Sequence, residues 1–533
     1  MSSRSETRTL YYNGHIHTFN SADEVYSTLG VCGDVIDYVG DTPDIARYGR
    51  LVDLQGRHVM PTLTDSHLHL LYSMVLAARS FMICEIEHER VVPDSLGGIR
   101  ERIEAYCAKH PKDKLIVANG YIVPAIKENR LPNRHELDAW SRGRALVIYN
   151  MDGHSSSLST KTMELLQLPV DDTADGIFRG EAHEFMQGRV TDLIAKTLSF
   201  KTIRTGIANF VNECHDYGIS RICALDGNED VRNDTITKAL AFIATKVPLN
   251  VAFFPQYMDF SKASSIFKRQ SHKRIGGCSA WELDGSVSSQ SAAFAIPYRN
   301  SDQCGHCYYD DEVIEEKVRQ ARELDIQLTS HAIGELAIDQ IIRAYEKCPP
   351  RAEQGKPMNR IDHCEFPSAE AVEKLKTLGV AITVQPGFAY IDKRYLHGYE
   401  QYLSNEALKK IIPLRTLMDE GVCICGSTDS PVQSLDPYLQ MRGMVEYYDP
   451  AQSLAPYQAY QTYSTNAVQM LGSDARLIAG NEASFNAYSE DPTRQAVEAA
   501  DLKMVVIAGK PVKRMKGTVM EFMGMLLKRR SSI

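Results

Sequence analysis

Five residues of this 533-residue chain have the types and the order that a divalent metal centre requires. His67 and His69 end one strand-like segment, and because they lie two positions apart they project from the same face of a strand. His331 and His363 each end a later strand-like segment, and Asp429 follows the last of them. Imidazole and carboxylate groups in this combination suit Zn²⁺ or a similar divalent ion.

The chemistry that such a centre would supply is hydrolysis. A divalent ion lowers the pKa of a bound water from 15.7 to about 7, and it also polarises a carbonyl group. A carboxylate that contacts this water can take its proton and pass it to a leaving nitrogen. Asp429 is the candidate for this general base and acid.

Each of these residues also has an ordinary structural interpretation. A histidine at a strand end can simply be hydrogen-bonded, and an aspartate in a segment such as 426–431 often orders a turn or caps a helix. The metal centre is favoured by the order of the residues, because a His-x-His pair, two further histidines and an aspartate end successive apolar segments.

Strand-like and helix-like segments alternate from about residue 61 to 476, which is typical of a parallel α/β architecture. In a (β/α)8 barrel, polar residues at the strand ends converge on one face, where active sites lie. The predicted strands are 115–118, 145–149, 219–225, 249–254, 327–331, 360–363, 380–384 and 421–426, and the predicted helices are 313–324, 336–345 and 369–378.

Both ends of the chain have strand patterns. Residues 9–60 contain short strands separated by glycines, and the segments 483–488 and 502–512 have the same character. We therefore expect residues 1–60 and 477–533 to form one small β domain with a terminal helix, and residues 61–476 to form a metal-dependent hydrolase barrel. A second His-x-His pair, His15 and His17, falls in this small domain, where we expect ordinary sheet positions.

Composition limits the partners. The net charge is −9, which does not favour a nucleic-acid surface. There is no run of about 18 apolar residues, and residues 1–8 lack the apolar core of a signal peptide. The twelve cysteines are scattered along the sequence, as expected for reduced thiols.

We expect a cytoplasmic enzyme that acts on a small molecule and has neither a nucleic-acid nor a membrane partner. The oligomeric state stays open, a homo-oligomer included.

The sequence resembles the amidohydrolase superfamily, specifically the amidohydrolase-3 branch that includes YtcJ-like proteins and N-substituted formamide deformylase. The resemblance implies a (β/α)8 TIM-type barrel, a small β-sandwich built from both termini, and hydrolysis of a C–N bond, usually of an amide other than a peptide. The matching motifs are 64–69, 152–155, 175–181, 284–293, 331–334, 361–363 and 429–432.

The resemblance also implies roles for individual residues. The histidines of the five-residue set become ligands of one or two divalent ions, with Zn²⁺ expected, and Asp429 becomes a ligand as well as the base. His154 would face the substrate or, alternatively, only order its loop. Asp284 would line the pocket or, alternatively, only turn the chain after a strand.

Two positions depart from the family pattern. The family often has a lysine, which bridges two metals once it is carboxylated, where this chain has Ala280. Ala280, Glu282 and Asp284 share one face of an extended strand, so Glu282 is the nearest replacement ligand. The alternative is that Glu282 is paired with an arginine or lysine. Glu335 stands where the family usually has aspartate.

Other interpretations remain open at this point. The same fold can carry a deaminase or a hydrolase of cyclic amides or esters, and a barrel without catalysis could serve as an interaction scaffold.

Cys304 and Cys307 form a Cys-x-x-Cys motif in a predicted loop. Three roles are open for the motif: two free thiols, a redox pair or a metal clip. Aromatic residues in predicted loops suggest an aromatic or apolar substrate group: Phe254, Tyr257, Phe260, Phe388, Tyr390 and Tyr395.

Overall fold

A computed structural model describes residues 8–20, 22–87, 90–170, 175–231, 234–350 and 355–527. The strands in this part of the chain are β1 (Arg8–Tyr12), β2 (His15–His17), β3 (Val25–Tyr26), β4 (Thr28–Cys32), β5 (Val35–Gly40), β6 (Arg50–Asp53), β7 (His58–Pro61), β8 (Leu63–Leu68), β9 (Phe81–Met82), β10 (Glu85–Glu87), β11 (Arg90–Val92), β12 (Leu115–Tyr121), β13 (Ala145–Asn150), β14 (Ser155–Leu158), β15 (Ile177–Arg179), β16 (Ile219–Asp226), β17 (Asn250–Pro255), β18 (Lys273–Glu282), β19 (Ile326–Ala332), β20 (Arg360–His363), β21 (Ala381–Val384), β22 (Ile424–Gly426), β23 (Phe485–Tyr488), β24 (Leu502–Ile507) and β25 (Lys510–Pro511).

The α-helices of the described residues lie mostly between the strands of the central region. They are α1 (Leu70–Met74), α2 (Leu96–Lys109), α3 (Arg134–Ser141), α4 (Thr160–Leu165), α5 (Glu181–Ala195), α6 (Phe200–Asp216), α7 (Thr235–Ala244), α8 (Ser264–Phe267), α9 (Asp311–Glu323), α10 (Glu335–Lys347), α11 (Ala369–Leu378), α12 (Pro386–Ile391), α13 (Gly398–Tyr402), α14 (Asn405–Leu408), α15 (Leu414–Asp419), α16 (Pro437–Val445), α17 (Pro456–Tyr463), α18 (Thr465–Met470) and α19 (Val519–Leu527).

Two parallel sheets carry the predicted metal ligands. One has the order β17-β16-β8, and the other runs β18-β19-β20-β21-β22 in chain order. Strand β17 lies against β18, and β22 lies against β8, where Leu68 forms a parallel bridge with Ser430. The strands of the two sheets thus neighbour one another in a cycle, which brings the ends of β8, β19, β20 and β22 together.

These strands are covered on both of their faces. Every residue of β8, β19, β20 and β21 is buried, as expected for parallel strands packed between other side chains and helices. Helix α10 begins three residues after β19 ends, and α11 and α12 follow β20 and β21. The helix predicted over 369–378 is found with those bounds.

The predicted strands at 115–118 and 145–149 are present, but they belong to a separate sheet of order β15-β14-β13-β12-β9. The chain reverses after β13, and β14 pairs with β13 in the antiparallel direction. This sheet packs its own apolar clusters, which include Ile116, Leu146 and Ile148. The region 61–476 therefore contains an inserted sheet besides the strands that carry the site.

Both ends of the chain contribute strands to two further sheets. One has the order β5-β4-β1-β6 and the other β25-β24-β23-β7-β2-β3, and side chains from both, such as Tyr11, Val31, Phe485 and Val506, share one buried cluster. The predictions for residues 1–7 and 528–533 lie outside the described residues.

The C-terminal helix α19 leaves these sheets and packs on the central region. The Phe522 ring lies 5.3 Å from that of Phe200 at the start of α6, and Met525 is buried beside it. The Asn212 side chain of α6 donates to the Met515 carbonyl at 2.9 Å. Among the described residues, no helix has the length and the apolar character needed to cross a lipid bilayer.

Candidate metal centre

The four predicted histidines converge at the ends of β8, β19 and β20. The ring of His67 lies 5.4 Å from that of His69 and 4.9 Å from that of His363, and the rings of His331 and His363 are 4.4 Å apart. His67, His331 and His363 are buried, whereas the side chain of His69 is 19% exposed toward the cavity. Four imidazoles from distant parts of the chain thus surround one small volume.

Acceptors behind the His67 and His69 rings determine which nitrogen faces this volume. His69 Nδ1 lies 3.1 Å from the Leu225 carbonyl oxygen, and His67 Nδ1 lies 3.3 Å from Asp362 Oδ2. A carbonyl oxygen can only accept, so His69 Nδ1 carries the hydrogen and its Nε2 is free as a ligand. The Asp362 carboxylate favours the same tautomer for His67, whose Nε2 faces Asp429.

The other two histidines are oriented in the same way. His363 Nδ1 lies 2.8 Å from Gln385 Oε1, which leaves its Nε2 free. His331 Nε2 lies 3.4 Å from the Gly285 carbonyl oxygen, which leaves its Nδ1 free. Metal-binding histidines generally have such an outer acceptor, because it selects the tautomer and fixes the ring.

Asp429 completes this arrangement from the loop that follows β22. Its Oδ1 lies 3.3 Å from His67 Nε2 and 3.2 Å from His69 Nε2. Within the described residues this buried oxygen has no hydrogen-bond partner. The backbone of Asp429 has φ +58°, a left-handed conformation that a non-glycine residue adopts at a cost of about 1–3 kcal/mol and that often marks a functional site.

Burial keeps His331 and His363 in the neutral form that can bind a metal, whereas the two carboxylates beside His67 favour its protonated form. Burial lowers the pKa of His363 to about 4 and that of His331 well below its ordinary value, so both imidazoles are neutral. Burial also opposes charge on His67, but the carboxylates of Asp362 and Asp429 outweigh it and raise the pKa of His67 to about 9. His67 thus lies between two carboxylates, a position that also favours a bound cation.

A buried ion pair supports the centre from outside. Arg360 Nε lies 3.0 Å from Asp362 Oδ1, and both side chains are fully buried. The hydroxyls of Thr329 and Thr383 donate to the same carboxylate at 2.8 and 2.6 Å. Sequence analysis missed this pair. Its signal is the pattern Arg-x-Asp directly before His363, which puts both charges on one face of a strand.

Cys278 of β18 is a second residue that sequence analysis missed. It is buried, and its Sγ lies 3.5 Å from His67 Nε2. Three groups of donors could each hold an ion at this place, two of them sharing His67, and together they contain every predicted ligand: His67–Cys278–His363, His67–His69–Asp429 and His154–Glu282–His331.

Glu282 reaches the same cavity from the end of β18, but it contacts His154 and a second carboxyl group. Its Oε2 lies 3.6 Å from His154 Nδ1, and its Oε1 accepts from the Ser279 amide at 2.9 Å. Burial and the neighbouring Glu184 raise its pKa well above the ordinary value, and burial raises the pKa of Glu184 to about 8. Its titratable neighbour is thus a second acid, whereas the alternative interpretation had an arginine or lysine there.

Glu282→Gln distinguishes a ligand from a positioning residue. We expect this variant to keep its metal content, because the contacts of Glu282 are with His154 and Glu184, and to lose activity through a less well-held His154. Metal analysis beside kcat and KM checks this. A fall of about half in bound metal would show that Glu282 ligates, as the sequence suggested.

His154 and Asp284, the predicted substrate residues, have different surroundings. His154 lines the cavity beside His331, with ring centroids 5.0 Å apart. Asp284 is fully buried, and its carboxylate accepts the backbone amides of Ala293, Ile333 and Gly334 at 2.7–2.9 Å. Asp284 therefore orders the chain after β19 and behind His331, and it does not line the cavity.

Two cavities meet at the centre, and His154, His363 and Asp429 line both. One of them contains most of the polar groups named above, including Glu184 and Glu282. The other has a mainly apolar wall formed by Ile122, Val287, Ile333, Phe388, Ile391 and Leu396.

Of the aromatic residues suggested by the sequence, Phe388 lines the apolar cavity. Phe254, Tyr257 and Phe260 are core residues instead. Aromatic residues of predicted loops were therefore a poor guide to the pocket, because strand ends and helix starts also bury large rings.

The remaining motifs lie outside the centre. Cys304 and Cys307 are partly exposed free thiols and belong to none of the donor groups of the described residues. His17 does have partners, which sequence analysis did not foresee: its Nε2 lies 3.0 Å from His58 Nδ1, and Asp491 is 3.9 Å away. This group belongs to the terminal sheets.

Comparisons with known proteins agree with this geometry. Residues 50–513 match the family model described as the amidohydrolase family. The chain is 21% identical to YtcJ of Bacillus subtilis (strain 168), over 94% of this chain and 97% of that protein. It is 19% identical to the N-substituted formamide deformylase of Arthrobacter pascens, over 91% of this chain and 93% of that one.

Solved structures resemble the fold. An uncharacterized metal-dependent hydrolase from Pyrococcus horikoshii OT3 superposes with a TM-score of 0.70 at 22% identity, covering 93% of this chain and all of that one. This likeness indicates a TIM-barrel-like α/β fold.

Proposed function

Because this chain belongs to the amidohydrolase family, we propose that it is a metal-dependent hydrolase that cleaves a C–N bond of amide type in a small molecule. In this proposal the cycle of parallel strands is a (β/α)8 barrel, and the two terminal sheets with their shared core are a small β-sandwich. The strand contacts at β17–β18 and β22–β8 support the first assignment, and the shared cluster supports the second.

One observation carries the proposal. Each of the four histidines has one ring nitrogen facing an oxygen acceptor and the other directed to a common volume beside Asp429 Oδ1. A structural histidine needs hydrogen-bond partners only for its own two ring nitrogens. Hydrogen bonding of this kind does not explain why four histidines direct a ring nitrogen into the same volume. The divalent ion, with Zn²⁺ as the first candidate, would be held by His67, His69, His331, His363 and Asp429.

When bound, the ion would supply a water of lowered pKa and a polarised carbonyl. Asp429 would take a proton from the attacking water and deliver it to the leaving nitrogen, since its carboxylate lies beside both His67 and His69. His154 would contact the substrate from the part of the cavity that it lines. Asp362 holds His67 in its orientation, and Arg360 keeps Asp362 ionised.

The apolar cavity suggests one part of the substrate. A side chain or ring that leaves water for the wall around Val287, Phe388 and Ile391 would be stabilised by about 25 cal/mol per Å² of buried apolar surface. We propose that the substrate has such an apolar group next to its amide. A cytoplasmic location, a small-molecule partner and the absence of nucleic-acid or membrane partners also stay proposals.

A panel of N-formyl and N-acyl amines with apolar groups of increasing size tests this function. We expect release of an amine and a carboxylic acid, and a kcat/KM that increases with the apolar group until the cavity is filled. Release of ammonia from the same panel would indicate a deaminase instead. A metal-loaded protein without turnover on amides, cyclic amides and esters would favour the scaffold interpretation.

A further inference from the structure

We propose that Cys278 is a metal ligand whose sulfur lies between the His67–His69–Asp429 group and the His331–His363 pair. The inference rests on the proposed function, because it assigns a ligand to the same centre. It would give the centre a ligand two residues before Ala280, the position where the family often has a lysine.

The distances around the sulfur carry the inference. Cys278 Sγ lies 3.5 Å from His67 Nε2, 3.9 Å from His331 Nδ1 and 4.0 Å from His363 Nε2. With Zn–S of about 2.3 Å and Zn–N of about 2.0–2.1 Å, tetrahedral ligands place sulfur and nitrogen about 3.6 Å apart. These three nitrogens are also the ring nitrogens that do not face the outer acceptors of His67, His331 and His363. The sulfur is therefore surrounded by the candidate ligand atoms of these histidines.

The backbone of β18 explains why Cys278 reaches this position. Gly277 pairs with Ser330, but the next paired residue is Glu282, opposite His331. Cys278 to Trp281 therefore lie unpaired between two consecutive residues of β19, Ser330 and His331, and form a bulge. Within this bulge Ser279 has φ +55°. A bulge redirects a side chain that an extended strand would have placed elsewhere.

Glu282, the replacement predicted from the sequence, is less suited to lie between the two groups. Its closest contacts are with His154 and the Ser279 amide. Cys278, in contrast, contacts one histidine from each of β8, β19 and β20. Zinc and related ions bind thiolate well, and a coordinating thiol loses its proton to the ion.

A nucleophilic role for this thiol fits less well. Reactive cysteines lie in partly exposed, electropositive surroundings, whereas Cys278 is 6% exposed and has the carboxyl groups of Glu282 and Asp429 as neighbours.

The test uses the full chain with cobalt as the probe. Metal-free protein is loaded with Co²⁺, and its absorption is recorded in the near ultraviolet, where thiolate-to-cobalt charge transfer absorbs. We expect this band in the wild type and its loss in Cys278→Ser, together with a fall of about half in bound metal. Zinc-edge X-ray absorption of wild type should show a sulfur scatterer at about 2.3 Å.

Two variants control for damage to the centre. Cys364→Ser removes another buried thiol, next to His363 in sequence but outside the donor groups, and should keep the band. Cys278→Asp offers a carboxylate at the same place and should regain metal without the band, even if the serine variant folds poorly.

The outcomes separate this inference from the proposed function. Cobalt bound with its ligand-field bands but without thiolate charge transfer would overturn the role of Cys278 and leave the metal-dependent function standing. A wild-type chain that binds neither cobalt nor zinc would overturn both. A band that persists in Cys278→Ser would assign the sulfur to another cysteine and also overturn the inference.

Discussion

Asp429→Asn is expected to lower kcat by two or more orders of magnitude while the fold persists. The substitution keeps the size of the side chain but removes the oxygen that can take a proton from the attacking water, and general base catalysis typically contributes about 10²–10⁴-fold. Steady-state kinetics on the best amide of the panel, with metal content measured in the same preparation, would show the effect.

A matched substitution elsewhere separates this effect from a general loss of carboxylate. Asp436→Asn changes the cap of α16, where the side chain accepts the Tyr438 amide at 2.9 Å, and asparagine caps a helix equally well. We expect nearly wild-type turnover for that variant. An Asp429→Asn enzyme within about threefold of wild type would place the base on another residue.

Arg360→Met is expected to lower the free energy of unfolding by about 3–5 kcal/mol, because it leaves Asp362 as a buried charge without its partner. Both side chains are fully buried and lie 3.0 Å apart. Urea denaturation of the metal-free protein measures the change without a contribution from metal binding. Loss of this arginine should also weaken metal binding, since Asp362 orients His67.

An exposed pair provides the control for the arginine substitution. Arg343 contacts Asp311 at 2.9 Å, with both side chains 40% exposed or more, and such surface pairs contribute about 1 kcal/mol or less. Arg343→Met should therefore shift the urea midpoint far less. Equal shifts in the two variants would show that the Arg360–Asp362 pair has no special role in the core.

The strands and the histidines at their ends could be predicted because their signals are local. The period of two places His67 and His69 on one face, and an apolar segment that ends in a polar residue marks His331 and His363. The pairing of strands is not local. Residues 115–121 and 145–150 have the same pattern as the strands of the site, yet they pair in a sheet of their own.

Cys278 shows why part of the site could not be predicted. The expectation for Glu282 assumed a regular strand through Ala280, Glu282 and Asp284. The bulge in β18 breaks that period and turns Cys278 toward the histidines. For Asp284 the alternative interpretation, a residue that turns the chain after a strand, fits better. Its carboxylate accepts the amide of Ala293, nine residues on, and those of Ile333 and Gly334 after β19.

The metal content of the purified chain tests the central claim most directly. Protein prepared without chelator is analysed for zinc and related ions, freed of metal, assayed, and assayed again after the ion is restored. We expect bound divalent metal, loss of hydrolysis on its removal and recovery on its return, because His67, His69, His331, His363 and Asp429 share one volume. Full activity in the metal-free chain would contradict the account.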